Sequence, residues 1–264
     1  PRPAGPVAGT VGVLVMRSYV LAGNTGHYDG VIAALEARGL RVVPAFAHGL
    51  DARPAIERFF VAPGPGGKPR PIVDAVVSLT GFSLVGGPAY NDAKAAEEIL
   101  AGLDVPYLAA QPLEFQTVEQ WRESPRGLHP VESTIMVAIP ELDGAVVPMV
   151  FGGRSSAAAP AAARDMTADP ERAAMLAARV ARLVALRRTP AAERTLAIVL
   201  FNFPPNAGAT GTAAYLSVFP SLFNTLKALA AEGYRVDLLA DAEALRDAIL
   251  HGNAAFAGTA ANVH

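Results

Sequence analysis

The chain has 264 residues, 52% hydrophobic and 17% charged, the balance of a packed globular protein and not of a disordered one. A formal net charge of −2 speaks against a nucleic-acid surface or a polybasic membrane patch, and the lack of cysteine excludes disulfides and thiolate metal sites. No apolar run approaches the roughly 18 residues of a transmembrane helix, so no transmembrane segment is expected, and the composition suits a reducing cytoplasm.

The first ten residues, PRPAGPVAGT, have neither an initiating Met nor the layout of a signal peptide. The last, NAAFAGTAANVH, bring no finishing element, so the expectation is a piece of a longer polypeptide. VGVLVM, 11–16, reads as a strand buried on both faces of a parallel sheet. A polar loop, Ser18 to Gly26, leads into a helix over about 26–38 that carries Tyr28, Val31, Ile32 and Leu35 at helical spacing and stops at Gly39. RVVPAF, 41–46, is a second strand and DARPAIERFF a short helix; APGPGGKPRP, 62–71, is a surface loop by its Pro and Gly content.

Residues 72–80 form a third strand, followed by the Gly-rich loop GFSLVGGPAYN and a helix, NDAKAAEEIL, with Asn91 as its cap. VPYLAA, 105–110, is a fourth strand. Strands alternating with helices predict a right-handed, mostly parallel α/β sheet. TVEQWRES and HPVESTIMVAIPEL then read as helices, the second with Pro130 in its first turn and Val131, Ile135 and Ile139 on its buried face. AVVPMVF, 145–151, is a strand, GGRSSAAAPAAARDMTADP a linker, and DPERAAMLAARVARLVALRRTP a long helix. Its Asp169–Pro170–Glu171 start and Arg187–Arg188 end suit the helix dipole.

From residue 194 the strand–loop–helix layout repeats, with LEARGLRVVPAF set against LAAEGYRVDLLAD. The fold expected is therefore α/β, with Rossmann- or flavodoxin-like parallel sheets in two tandem βαβ subdomains joined by a long helix. The boundaries read as a cut end at 1–10, a first subdomain at 11–155, linker and long helix at 156–193, and a second, truncated subdomain at 194–264.

In an open parallel sheet, ligands bind outside the carboxyl ends of the strands, where strand order reverses. Arg17, Ser18, Asn24, Thr25 and His27 cluster at one such end, joined by the loops Thr80–Asn91, with Gly81 and Phe82, and Gln111–Thr117. Helix starts at Gly26 and Gly211 would favour an anion. A plainer reading stands beside this one, in which Asn24 and Thr25 cap the helix and His27 is solvated. Lys68 in PGPGGKPR is followed by Pro69 and by no helix, so it is not a phosphate loop; GxGxxG, HExxH and GxSxG are also missing. His129 and Glu132, at i, i+3, could share a cation or simply start a helix. Glu114 and Glu119 flank Phe115 beside Trp121, an acidic group near aromatics.

The runs RSYVLAGNTGHYDGVIAALEARGLRVVPAFAHGLD, DAVVSLTGFSLVGGPA, VPYLAAQPLEFQTVEQW, GLHPVE, PELDGAVVPMVFGGR and LFNFPPNAGATGTAAYL resemble the large H subunit of magnesium chelatase, in order and over nearly the whole chain. The wording is similar to the bacteriochlorophyll branch. The resemblance implies a porphyrin-binding chain that works with an AAA+ ATPase and a second small subunit to insert Mg²⁺ into protoporphyrin IX. ATP would then be bound by a partner and not by this chain. The large subunit of cobaltochelatase, which inserts cobalt into a corrinoid ring, and a non-catalytic scaffold that docks the ATPase partners are the alternatives. Insertion requires removal of two pyrrole protons and dehydration of Mg²⁺, an ion that prefers oxygen ligands. On that chemistry His27, Glu114 and Glu132 are expected catalytic residues, and His129 with Glu132 the metal pair. Arg17, Ser18, Asn24, Thr25, Thr80, Gly81, Phe82, Gln111 and Arg154 would bind the substrate.

Overall fold

The computed structural model describes residues 7–67, 69–87, 90–156, 165–200 and 216–251. They fall into two compact units, Pro1–Arg187 and Arg188–His264. In the first unit β1 (Gly9–Leu14) leads through a short helix, α1 (Arg17–Leu21), into α2 (Gly26–Glu36), then β2 (Leu40–Ala45) and α3 (Arg53–Phe59). A small hairpin follows, β3 (Val61–Pro63) and β4 (Pro69–Pro71), then β5 (Ala75–Ser78), a second hairpin of β6 (Gly86–Gly87) and β7 (Tyr90–Asn91), and α4 (Ala93–Leu103). The long β8 (Tyr107–Thr117) passes into α5 (Val118–Glu123). A helical stretch runs through α6 (Pro130–Glu132), a wide turn over Ser133–Ala138, and α7 (Ile139–Leu142). The unit closes with β9 (Val146–Arg154), β10 (Met166–Ala168) and α8 (Pro170–Arg188).

The main sheet has the order β10-β9-β8-β5-β1-β2, parallel except for β10, which pairs antiparallel with β9. Counting only sheet strands, this is the doubly wound order 2-1-3-4-5 with one added edge, and strand order reverses between β1 and β5. The mostly parallel α/β expectation is met. Alternation along the strands sorts side chains to two faces. Val11, Val13, Ala75, Val77, Leu108 and Ala110 meet Tyr28, Val31 and Leu35 of α2 and Leu176, Val180 and Val184 of α8. Leu14, Val76, Tyr107 and Ala109 meet Ile56 and Phe60 beside α3 and Ala96 and Leu103 of α4. Both faces are covered, which is why the strands read as unbroken apolar runs.

Several local expectations are corrected. The segment 62–71 is not loop alone: Val61–Pro63 pairs with Pro69–Pro71 around a turn at Pro65–Gly67. The cap of α4 is Asp92, whose carboxylate accepts from the Ala95 N–H at 3.0 Å, and not Asn91, which belongs to β7. Asp92→Ala is expected to lower stability by about 1 kcal/mol, measurable as a shift in urea midpoint at unchanged slope. The fourth strand does not stop at 110; β8 runs to Thr117, and register shifts against β9 at Gln111/Pro112 and Leu113/Thr117 absorb its proline. The buried face of 130–142 is Glu132, Met136 and Pro140, whereas Val131 is 52% exposed. Within the supposed linker, Gly152–Arg154 and Met166–Ala168 pair as strands.

In the second unit α9 (Val218–Ala231) and α10 (Ala242–His251) are helical. The strand read after Arg194 has no ladder in residues 195–200, where Val199 is 91% exposed; a parallel strand needs a neighbour, and the described residues supply none. Its continuation, and the helix start at Gly211, lie outside the described residues.

Candidate functional site

The carboxyl ends of β1, β5 and β8 face the same rim of the sheet. At the reversal point a cleft is lined by Met16 and Arg17 after β1, Gly49 and Leu50 after β2, and Ser78 and Thr80 at and after β5. It encloses about 30 Å³, room for roughly one water and not for a macrocycle. Thr80 accepts from the Phe82 N–H at 3.2 Å and lies 3.0 Å from the Ser78 hydroxyl, so the loop after β5 is pinned by its own side chains. Gly81 has φ +73°, and a Cβ there would lie 3.2 Å from Pro112 Cδ. This close approach sets the loop against β8.

His27 is fully buried in the first turn of α2, so the solvated reading is overturned. The reason is local. Gly26 and Gly30 let α2 approach β10 until a Cβ at 26 would sit 3.0 Å from the Met166 carbonyl and one at 30 would sit 2.3 Å from Ala168 Cβ. Residue 27 then turns under the rim. Its ring stacks on Phe151 at 5.9 Å, leans on Tyr28 at 3.7 Å and meets the edge of Tyr19 at 5.0 Å. Neither ring nitrogen has a hydrogen-bond partner among the described residues. Burial pulls its pKa down to about 4, against a smaller opposing pull from Asp29.

Tyr19 connects His27 to the rim. Its hydroxyl donates to Glu114 Oε1 at 2.9 Å, on β8, and is held well above the usual phenol range by burial and by the Glu114 carboxylate, while Arg154 acts in the opposite sense. Two residues expected from sequence, His27 and Glu114, thus meet at Tyr19, a tyrosine not singled out by the sequence. Its one signal was a lone aromatic in a polar loop. Glu119, with Glu114 the acidic group expected near Phe115 and Trp121, sits on α5. It accepts from Ser155 Oγ at 2.6 Å and from Ser156 N–H and Oγ at 2.9 and 3.0 Å, and these bonds hold its pKa near 2.

The other expected residues divide between rim and framework. Arg17 and Ser18 are exposed on α1. Asn24 does not cap α2; its Oδ1 accepts from the Met166 N–H at 2.8 Å and ties the loop to β10. Thr25 donates to Asp29 Oδ2 at 2.8 Å. Gln111 is buried, and its amide donates to the carbonyls of Ala109 and Met136 at 3.2 and 3.1 Å. Glu132 is also buried: Oε2 accepts from Gln116 Nε2 at 2.6 Å and from the His129 N–H at 3.0 Å, while Oε1 has no partner among the described residues. His129 itself is exposed, so the pair meets through the His129 backbone at a helix start. Among the described residues no group of three or more His, Cys, Asp or Glu gathers as a metal site, and no helix is long and apolar enough to cross a membrane.

The profile of the CobN/Magnesium Chelatase family matches residues 3–263. The chain is 53% identical over 276 aligned residues to the magnesium-chelatase H subunit of Cereibacter sphaeroides, an alignment covering 100% of this chain and 23% of that protein. It is 45% identical to the chloroplastic ChlH subunit of magnesium chelatase from Oryza sativa subsp. indica, over 93% of this chain and 17% of the relative. Among solved structures, the catalytic subunit of cobaltochelatase from Mycobacterium tuberculosis superposes with a TM-score of 0.73 at 30% identity, covering 95% of this chain and 20% of that one. The chain therefore spans about a fifth of the length of the relatives it matches.

Proposed function

The chain belongs to the CobN/magnesium chelatase family, and from that premise we propose that it forms part of the porphyrin-binding H subunit of a magnesium chelatase of (bacterio)chlorophyll synthesis. The carrying observation is 53% identity across the whole chain to a magnesium-chelatase H subunit. The competing cobaltochelatase reading rests on 30–31% identity and is the weaker of the two. In this reading protoporphyrin IX and Mg²⁺ are substrates. An AAA+ ATPase partner binds ATP, a second small subunit completes the complex, and the reaction takes place in the cytoplasm.

The rim supports a division of labour. Insertion breaks two pyrrole N–H bonds, moves two protons to the protein and forms bonds from the ring nitrogens to Mg²⁺, leaving a neutral product. Glu114 and His27 are the proposed acceptors: one is a half-buried carboxylate, the other an imidazole kept neutral by burial. Arg154, exposed at the end of β9, is the proposed partner of a propionate. The cleft of about 30 Å³ is too small for the ring, so the macrocycle would lie across the rim and be covered by chain beyond this segment.

Arg154→Ala in the full-length protein is expected to weaken protoporphyrin binding about tenfold, the effect of losing one charge-assisted hydrogen bond. The same substitution should leave binding of the propionate diester unchanged. Equal losses for acid and diester, or no loss for either, would remove Arg154 from the site.

A further inference from the structure

We propose that α1, Arg17–Leu21, is a lid over His27, latched by the Tyr19 hydroxyl on Glu114. The first observation is the imidazole itself. His27 is completely enclosed, with both nitrogens unpartnered among the described residues, and a buried polar group left without a partner is costly enough to need an explanation. A state in which the nitrogens reach water or a ligand supplies one, provided the cover over them is thin. The second observation is that the cover is thin. α1 is five residues long, buries none of them completely, has no capping side chain, and leaves Leu21 64% exposed.

Attachment of α1 is also confined to few points. Tyr19 and Val20 rest against the core, and the Tyr19–Glu114 hydrogen bond ties the helix to the sheet. Beyond it, Gly23, at φ +69°, closes α1 as a backbone cap: its N–H donates to the Val20 carbonyl at 3.2 Å and the Asn24 N–H to the Tyr19 carbonyl at 3.0 Å, so lifting α1 breaks these bonds together with the latch. Asn24, anchored on the Met166 N–H, marks where the fixed framework resumes. On the other side the Met16 N–H donates to the Tyr28 hydroxyl at 3.2 Å, which fixes the end of β1. Lifting α1 between these anchors moves the Tyr19 ring off His27 and frees the Glu114 carboxylate in one motion. Two proton acceptors then become available together, matching the two N–H protons of a porphyrin. That last consequence rests on the proposed function; the lid does not.

The test is acylation of histidine by diethyl pyrocarbonate in the full chain, resolved by peptide mass spectrometry, with exposed His48 as the internal reference. In the wild type His27 should react at least about tenfold more slowly than His48. Tyr19→Phe keeps the ring but removes the latch, and should speed reaction at His27 about tenfold with His48 unchanged. Glu114→Gln, which keeps an acceptor oxygen but removes the charge, should give an intermediate rate. The proposal is overturned if His27 reacts at the wild-type rate in both variants, or if its rate rises only in step with a fall in melting temperature beyond about 2 °C. If the lid opens as described while His27 and Glu114 variants insert Mg²⁺ normally, the lid stands and the proton-acceptor roles fail.

Discussion

His27→Phe is expected to make the protein more stable while lowering metal insertion by about 100-fold or more. The pocket formed by Tyr19, Tyr28 and Phe151 is aromatic on these three sides and offers the imidazole no partner. A phenyl ring removes two unsatisfied nitrogens, and replacing an unpaired buried polar group by an apolar one of similar shape should yield about 1–3 kcal/mol near pH 7. The pH dependence carries a sign of its own. The folded pKa is pulled down to about 4 from an ordinary value of 6.5, so between these values the unfolded chain binds more protons than the folded one. The contribution of neutral His27 is complete above pH 6.5 and is lost as pH falls towards 4, by about 3 kcal/mol at about 1.4 kcal/mol per pH unit. The wild type should show this slope in chemical denaturation between pH 6.5 and 4, and His27→Phe should lose the part of it above about pH 5, where the depressed Glu119 carboxylate does not yet contribute. A variant less stable than wild type would mean that the imidazole is well partnered in the folded protein, and a slope retained in full would assign the pH dependence to other groups.

Phe151→Ala should have the largest effect on the fold, about 3–5 kcal/mol lost. Phe151 is fully buried in β9 and stacks on both His27 and Tyr28. Its backbone carbonyl also accepts from the Asp169 N–H at 2.9 Å, next to the start of α8. Removing the ring leaves a cavity between the sheet and α2 that neighbouring backbone cannot fill. For a unit of this size the melting midpoint should fall by about 10 °C, a large share of ordinary domain stability. Phe151→Leu, which keeps most of the volume, should cost far less. Equal midpoints for the alanine variant and the wild type would show that the aromatic cluster is not a supporting element.

What sequence revealed and what it hid have physical reasons. Apolar runs alternating with helical spacing placed β1, α2, β2, β5 and α8, because a parallel sheet buried on both faces leaves that pattern. β8 was cut short at 110 because Gln111, Pro112 and Glu114 read as loop; bulges and the carbonyls that receive the Gln111 amide make them strand. β10 is three residues inside an Ala-rich stretch, too short for any period. Periodicity chose Val131, Ile135 and Ile139 as the buried face, whereas the neighbouring face is buried because Gln116 and the His129 N–H satisfy one oxygen of Glu132. At the site, residue chemistry singled out His27 and Glu114. That they meet depends on Tyr19, whose position above His27 follows from how closely two glycines let α2 approach the sheet edge.

A segment that carries part of a porphyrin site should report the ring through its single tryptophan. Trp121 packs on Leu113, Val118 and Val150 with the Arg172 guanidinium 5.4 Å from its ring centroid, where β8 passes into α5. Titration of the chain with protoporphyrin IX should quench Trp121 fluorescence saturably at micromolar concentration. Unquenched fluorescence from this chain, alongside normal binding of the same porphyrin by the full-length protein, would place the ring site elsewhere and leave this segment a scaffold.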